Sequence, residues 1–254
     1  MQEQSAEHVI TYYNEHVQNK LNDYIKVNPR IEEAWNTLIR YAPRKPLRIL
    51  EVGCGIGSIC ARMSKQWPEA EIHGIDISTH SIQIADKLFG SSKLKFKSGI
   101  LTEDTYDTTF DLIIFMDVYE HIAVSARPVV HASLKKLLNN KGHLFLSVPT
   151  PHYLKWSAKH KPETMQPVDE HISFDVIGKL AADIEADVLL YQIKDIWNQG
   201  DYAHIVFEKN DNFEAAFFHQ KPVTLQQRSK RIVNKGIYRL GSLLRRSYVR
   251  NKLK

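Results

Sequence analysis

The sequence predicts a doubly wound α/β fold, with a seven-stranded, mostly parallel sheet whose last strand is antiparallel. Short apolar segments alternate with amphipathic helical segments between residues 47 and 148. A glycine-rich turn follows the first apolar segment, and a short turn joins the last two. Apolar strands that alternate with helices indicate a parallel sheet covered on both faces, and a short connection indicates an antiparallel pair.

A helical cap is predicted at residues 1–44. Apolar residues recur at helical spacing through residues 5–42, and the turn-prone Asn28-Pro29 pair divides this segment into two helices. Pro43 and Pro46 then interrupt the chain. The cap is therefore expected to lie beside the main domain.

The main domain is expected to occupy residues 45–210. Its parallel strands are predicted at residues 47–52, 71–76, 93–98, 111–116 and 143–148. Its helices are predicted to begin at Ser58, to span residues 79–89 and 125–138, and, after a Lys- and His-rich loop that follows Pro149 and Pro151, to span residues 172–184. Residues 187–193 and 202–208 complete the sheet as an antiparallel hairpin.

Charge is distributed unevenly along the 254 residues. The segment from Lys221 to Lys254 has eleven Lys and Arg residues and no acidic residue, whereas the rest of the chain has 23 basic and 29 acidic residues. Apolar residues recur at helical spacing within it, so residues 211–254 are predicted to be a basic amphipathic tail suited to an anionic membrane surface. A solvated tail is the alternative.

Composition excludes several classes of protein. No stretch approaches the roughly 20 apolar residues of a membrane span, and the N-terminus lacks the pattern of a signal peptide. Cys54 and Cys60 match neither a disulfide framework nor a zinc motif. The sequence thus predicts a cytoplasmic protein, held at the inner membrane face if the tail binds there.

Three glycines, Gly53, Gly55 and Gly57, follow the first predicted strand. Their spacing differs from the G-x-G-x-x-G of dinucleotide sites, and Glu51 just before them disfavours phosphate and favours a cation. Asp76 ends the second strand, where a carboxylate can accept both hydroxyls of a ribose. These residues predict a nucleoside ligand with a cationic appendage, and S-adenosylmethionine (SAM) has this chemistry.

The chain resembles the class I SAM-dependent methyltransferases. The resemblance lies in EVGCGIG at residues 51–57, GIDI at 74–77, FDLIIFMDVYEHI at 110–122 and LKKLLNNKGHLFLSVPT at 134–150. It covers about residues 45–208. It implies a Rossmann-like fold and methyl transfer from SAM, with S-adenosylhomocysteine (SAH) as product.

The resemblance also implies cofactor-binding roles. Glu51 would assist the SAM ammonium, the glycines would line its methionyl end, Asp76 would hold the ribose diol and Ile77 would pack on adenine. Many relatives have an acid after the glycine that ends the third strand, but Gly99 here is followed by Ile100 and Leu101. The expected cofactor-binding residues are Glu51, Gly53, Gly55, Gly57, Asp76, Ile77, Ile100, Leu101 and Asp117.

Two Glu-His pairs are the candidates for catalysis, Glu120-His121 and Glu170-His171. A hydroxyl acceptor must lose its proton as the new bond forms, so a base or a metal is needed. His121 or His171 is expected to be the base, with Glu120 beside the reacting group. The less favoured alternative is a divalent metal, since Asp-x-x-Glu-His is similar to the Glu-x-x-Glu-His motifs of ubiquinone-pathway and small-RNA methyltransferases. The third alternative is that these residues have a purely structural role, in which they cap helices and form hydrogen bonds within the loop.

The acceptor is expected to be a glycan. The EHI motif, SVPTPHY and the basic tail are similar to features of methyltransferases of bacterial surface-polysaccharide synthesis, which implies a sugar hydroxyl or a terminal group, on a lipid-linked glycan. A quinone-type small molecule and an RNA 2′-hydroxyl are alternatives, but the tail lacks the interleaved aromatic residues of RNA readers. Residues expected to border the acceptor are His152 and Tyr153, with Tyr12, Tyr13 and Arg30 as weaker candidates.

Overall fold

The computed structural model describes residues 6–15, 17–26 and 28–210. Three helices precede the sheet where the sequence predicted two: α1 (Ala6–Glu15), α2 (Val17–Lys26) and α3 (Pro29–Tyr41). The Asn28 side chain caps α3 by accepting a hydrogen bond from Arg30 N at 3.0 Å, and Pro29 is in the first turn. The predicted boundary at Asn28-Pro29 is therefore confirmed as a helix start, and a second boundary separates α1 from α2.

In the described part of the chain, seven strands form one sheet in the order β3-β2-β1-β4-β5-β7-β6. The strands are β1 (Arg48–Val52), β2 (Glu71–Asp76), β3 (Leu94–Ser98), β4 (Phe110–Met116), β5 (Leu138–Pro149), β6 (Ala186–Lys194) and β7 (Tyr202–Lys209). The first five pair in parallel, and β7 pairs antiparallel with both β5 and β6. The predicted fold class is confirmed.

Helices cover both faces of this sheet. The remaining α-helices are α4 (Ser58–Gln66), α5 (Thr79–Phe89), α6 (Arg127–Leu137), α7 (Pro151–His160) and α8 (Phe174–Asp183). Successive strand side chains point to opposite faces, so Ile49 packs with the α3 and α4 side chains and Leu50 with those of α6 and α8. Each such fully buried side chain contributes about 1.5–3 kcal/mol to stability. The two cores hold the strand ends rigidly in register.

The segment after β5 is a helix, α7. The prediction of a Lys- and His-rich loop at this position was therefore wrong. The Thr150 hydroxyl caps α7 by accepting from Tyr153 N at 3.3 Å, and Pro151 occupies the first turn. The same hydroxyl donates to Gly200 O at 2.7 Å, which ties the helix start to the β6–β7 turn. The cap and the bond to Gly200 stabilise a helix in this segment despite its polar composition.

The predicted tail at residues 211–254 lies outside the described residues. Within the described part of the chain, no helix combines the length and apolarity needed to cross a membrane.

Candidate active site

The glycine-rich turn lies where β1, β2 and β4 end. Gly53 N and Cys54 N both donate to Ile75 O, at 2.7 and 3.1 Å, which fixes the turn against the end of β2. Gly53 has φ 72°, a conformation that favours glycine. A Cβ there would lie 2.3 Å from Val118 Cγ2 of the loop after β4. Both the backbone conformation and the neighbouring loop therefore exclude a side chain at residue 53.

Asp76 ends β2 beside this turn and is buried. Its Oδ2 accepts from Gly55 N at 2.7 Å, and its Oδ1 accepts from Ser78 N at 2.8 Å. Lys20 Nζ of α2 lies 3.6 Å from Oδ2, and a Cβ on Gly55 would lie 3.0 Å from Lys20 Cδ. The lysine thus crosses bare backbone to reach the carboxylate, where it competes with a ligand hydroxyl for Asp76.

Glu51 lies beneath the turn, fully enclosed at 3% exposure. Its Oε2 accepts from Cys60 Sγ at 2.8 Å. Burial raises the pKa of Glu51 to about 7, although the Cys60 hydrogen bond opposes the shift. Its expected contact with an ammonium group stays a prediction.

The residues expected at the adenine end differ in exposure. Ile77 is partly buried directly after β2. Ile100 is 66% exposed, whereas Leu101 is buried in the core that contains Val52 and Ile75. Ile100 is therefore the more accessible of the two candidates after β3, and both assignments stay predictions.

Asp117 follows β4 and forms an ion pair with Arg30 of α3. The distance from Arg30 Nε to Asp117 Oδ2 is 3.1 Å, and Arg30 Nη1 donates to the Tyr202 hydroxyl at 3.4 Å. Burial raises the pKa of Asp117, and the Arg30 guanidinium opposes the shift. Asp117 also has the positive φ of 56°. Arg30, a weaker candidate from sequence, is thus joined to the end of β4.

His121 lies next along this loop, between two carboxylates. Its Nδ1 is 2.7 Å from Val168 O and 3.0 Å from Asp169 Oδ1, and its Nε2 is 3.7 Å from Glu120 Oε1. Both partners of Nδ1 are acceptors, so Nδ1 carries a hydrogen and Nε2 is the nitrogen that gains or loses a proton. Burial alone lowers the pKa of His121, but the Glu120 and Asp169 charges outweigh it and raise the pKa to about 9.

Glu120 is buried at 1% exposure, and burial raises the pKa of its carboxyl group. Its backbone oxygen accepts from Glu170 N at 2.8 Å, which attaches the segment before α8 to the site. The residue of that segment that reaches His121 is Asp169, whereas His171 is exposed. Sequence reasoning missed Asp169, because the Glu-His pair that follows it resembles the first pair.

Helix α1 covers this part of the site. The Tyr13 ring centroid is 6.5 Å from that of His121, and the Tyr13 hydroxyl donates to Gln166 Oε1 at 2.8 Å. Asn14 Oδ1 accepts from the Ser78 hydroxyl at 2.8 Å beside Asp76. The N-terminal helices therefore contact both the Asp76 end and the His121 end.

Two buried oxygens fit a ligand that supplies hydrogen-bond donors. Among the described residues, Asp117 Oδ1 and Glu120 Oε2 have no hydrogen-bond partner. Buried polar atoms are normally paired. A cationic nucleoside bound over the glycine turn matches this donor requirement. A cluster of three His, Cys, Asp or Glu side chains that could hold a metal is not found in the described ranges.

A family profile described as "Methyltransferase domain" matches residues 13–186. Ajmaline N-methyltransferase from Rauvolfia serpentina is 34% identical over 84 residues, covering 31% of this chain and 28% of that protein. Malonyl-[acyl-carrier protein] O-methyltransferase from Halalkalibacterium halodurans is 26% identical over 172 residues, covering 65% and 60%. The chain spans less than half the length of the first curated relatives it matches, with shares of 45%, 28% and 32%.

Solved structures share the fold at low sequence identity. Magnesium protoporphyrin IX methyltransferase from Synechocystis with bound SAH has a TM-score of 0.64 and 16% identity, covering 81% of this chain and 100% of that one. The N-methyltransferase NodS from Bradyrhizobium japonicum in complex with SAH has a TM-score of 0.62 and 15% identity, covering 78% and 98%. The relatives named here differ in the group they methylate, so the acceptor must be argued from the site.

Proposed function

This chain belongs to the methyltransferase-domain family and has the fold of SAM-dependent methyltransferases, and we propose that it methylates a hydroxyl group of a glycan. SAM supplies a methyl group that its positively charged sulfonium activates for transfer. The protein therefore has to bind both ligands, align the acceptor and manage the acceptor's proton.

The SAM-binding residues in this proposal come from three strand ends. Gly53 and Gly55 offer bare backbone to the methionyl end of SAM, and Asp76 accepts hydrogen bonds from the ribose hydroxyls. Ile77 and Ile100 border the adenine. Asp117 and Glu120 provide the buried oxygens that need donors.

The observation that carries the hydroxyl assignment is the Asp169–His121 pair. A carboxylate acceptor has no proton to lose, whereas a hydroxyl must lose one as the bond to carbon forms. His121 has an oriented imidazole whose Nε2 is available to accept that proton, and Asp169 stabilises the imidazolium that results. This arrangement favours an acceptor that loses a proton, such as a hydroxyl, over a carboxylate.

The protonation state of His121 determines when it can act. Because its pKa is about 9, the imidazole is mostly protonated at neutral pH and lacks the lone pair of a base. A second positive charge in the site disfavours protonation and lowers this pKa. A cationic ligand in the site therefore increases the fraction of His121 that is in the basic form, and this fraction also increases as pH rises.

The glycan assignment is supported by the resemblance of EHI and SVPTPHY to surface-polysaccharide methyltransferases. Tyr153, expected at the acceptor, lies at the start of α7 with its ring centroid 6.4 Å from that of Tyr202, which bonds Arg30. A membrane-held acceptor would be reached from the cytoplasmic side, with the tail at residues 211–254 on the anionic surface.

The test is acceptor screening with methyl-labelled SAM. The full chain is incubated with nucleotide sugars, lipid-linked glycans, a polyprenyl catechol and total RNA, and products are located by mass spectrometry. We expect one methyl group on a sugar hydroxyl, and loss of transfer in His121→Gln with SAH affinity retained. Label on an amine, on the catechol or on RNA would reject the glycan assignment.

A further inference from the structure

We propose that α7 carries a docking surface for an acidic glycan, formed by a row of aromatic rings beside a strip of basic side chains. This inference rests on the proposed function and adds the charge class of the acceptor. The surface is defined by the row Tyr153, Trp156 and His160 and by the strip His152, Lys155 and Lys159.

The three rings of the row follow one another in nearly parallel planes. Tyr153 and Trp156 have centroids 6.1 Å apart with an angle of 15° between planes, and Trp156 and His160 are 5.1 Å apart at 23°. Their spacing of three and four residues keeps them along one side of the helix. Trp156 is 41% exposed. The exposed part of these rings offers apolar surface on which the C–H groups of a sugar can pack.

The row is held in place by the rest of the fold. Leu154 and Ser157 are buried on the side of α7 that flanks the row, and Thr150 anchors its first turn to Gly200 O. His160 Nδ1 lies 2.9 Å from Trp156 O. Rings fixed before binding lose little conformational freedom when a ligand packs on them.

The row also leads into the active site. The Tyr153 ring lies against Tyr202, whose hydroxyl accepts from Arg30, and Arg30 pairs with Asp117 at the end of β4. A glycan on α7 would therefore extend toward the loop that bears Glu120 and His121.

The charge of the surface selects the occupant. His152, Lys155 and Lys159 are exposed and lie next to the row on the helix, and Lys161 Nζ is 5.4 Å from the Trp156 ring centroid. Residues 150–162 include no acidic residue. Ammonium groups attract carboxylates and phosphates. An acidic sugar chain complements both the rings and the charges.

Other occupants fit the surface less well. Membrane insertion scales with buried apolar area, and the large aliphatic side chain of α7, Leu154, is turned inward. Extended RNA needs a long basic track, whereas the chain before Lys221 has more acidic than basic residues.

The test measures by calorimetry how defined probes bind to the full chain saturated with SAH. The probes are an oligogalacturonide, a neutral maltooligosaccharide of equal length, oligouridylate, and phosphatidylglycerol vesicles. We expect the oligogalacturonide to bind best. Trp156→Ala and the double change Lys155→Glu with Lys159→Glu should each weaken it at least about tenfold. Lys87→Glu on α5 is a charge-reversal control away from α7 and should have no effect.

Three results would overturn the inference: equal oligogalacturonide affinity in Trp156→Ala, tighter binding of oligouridylate or vesicles, or binding of no probe. The experiment is independent of methyl transfer. If sugar hydroxyls are not methylated but the acidic probe binds and the α7 variants lose it, the proposed function fails while the docking surface stands. If the acidic probe does not bind, the docking surface fails, and the hydroxyl assignment is still decided by the transfer assay.

Discussion

Asp169 Oδ1 lies 3.0 Å from His121 Nδ1, and its other oxygen, Oδ2, accepts from Gln166 N at 2.7 Å. The carboxylate is therefore fixed by its own loop before it contacts the imidazole. Because Gln166 Oε1 also accepts from Tyr13, the loop that positions His121 is held in turn by helix α1. The candidate base is oriented by residues that sequence spacing does not connect.

Asp169→Asn should change the pH dependence of transfer. Loss of the charge lowers the pKa of His121, so the midpoint of the kcat–pH profile should move to lower pH, and the plateau should fall about 10–100-fold because a weaker base remains. Profiles are measured with the acceptor found by screening, and Asp107→Asn on an exposed loop is the control. A lower plateau with an unmoved midpoint would indicate a role in folding only.

Asp76→Asn should weaken SAH binding. The change removes the charge that would accept both ribose hydroxyls, and hydrogen bonds to charged groups contribute about 1.5–3 kcal/mol, so we expect at least about a tenfold loss. Calorimetry measures it, with Glu71→Gln at the start of the same strand as control. A melting curve verifies that the Gly55 turn is intact. Wild-type affinity in the folded variant would contradict the ribose assignment.

Lys20→Met should strengthen SAH binding. Lys20 pairs with Asp76 and competes with a ligand hydroxyl for this carboxylate. A partly exposed pair contributes about 0.2–1 kcal/mol, so the gain should not exceed about fivefold. Lys26→Met at the end of the same helix is the matched comparison. Weaker binding in Lys20→Met would show that the lysine contacts the ligand instead.

Glu51→Gln should stabilise the protein at alkaline pH. Folding raises the pKa of Glu51 to about 7, so the folded state binds this proton more tightly than the unfolded state. The resulting stability is fully present below the unfolded pKa and is lost as pH rises toward the folded value. The free energy of unfolding of the variant should exceed that of wild type by up to about 3 kcal/mol near pH 8.5 and match it near pH 4.

Urea unfolding at the two pH values gives this difference. The exposed Glu69→Gln variant provides the baseline. An equal effect of Glu51→Gln at both pH values would mean that Glu51 is ionised in the folded protein at neutral pH.

SAM should release more protons on binding than SAH. His121 holds its proton above the ordinary pKa of histidine, and the sulfonium charge, which SAH lacks, disfavours this imidazolium form. Calorimetry near pH 8 in buffers of different ionisation enthalpy counts the protons. Glu120→Gln should reduce the difference between the two ligands. Equal release by both would place the sulfonium away from His121.

The sequence was sufficient for the sheet, because strand periodicity and glycine turns are local signals. Gly53 and Asp76 occur at the expected strand ends for the same reason. The pair Thr150-Pro151 is a recognisable helix cap, but the Lys and His content of the residues that follow favours a loop. The sequence therefore did not predict α7. Asp169 could not be ranked above His171 from spacing alone, because its contact depends on how a long loop folds back onto the end of β4.

The N-terminal helices that cover the site contact residues far along the chain. Tyr13 donates a hydrogen bond to Gln166, and Arg30 donates one to Tyr202 in β7. During synthesis the helices that will cover the ligand leave the ribosome well before their partners Gln166 and Tyr202 have been translated. Such distant contacts also form late in folding. Competence to bind a ligand should therefore arise only after β7 has been made, which makes SAH capture by stalled nascent chains a direct report on completion of the fold.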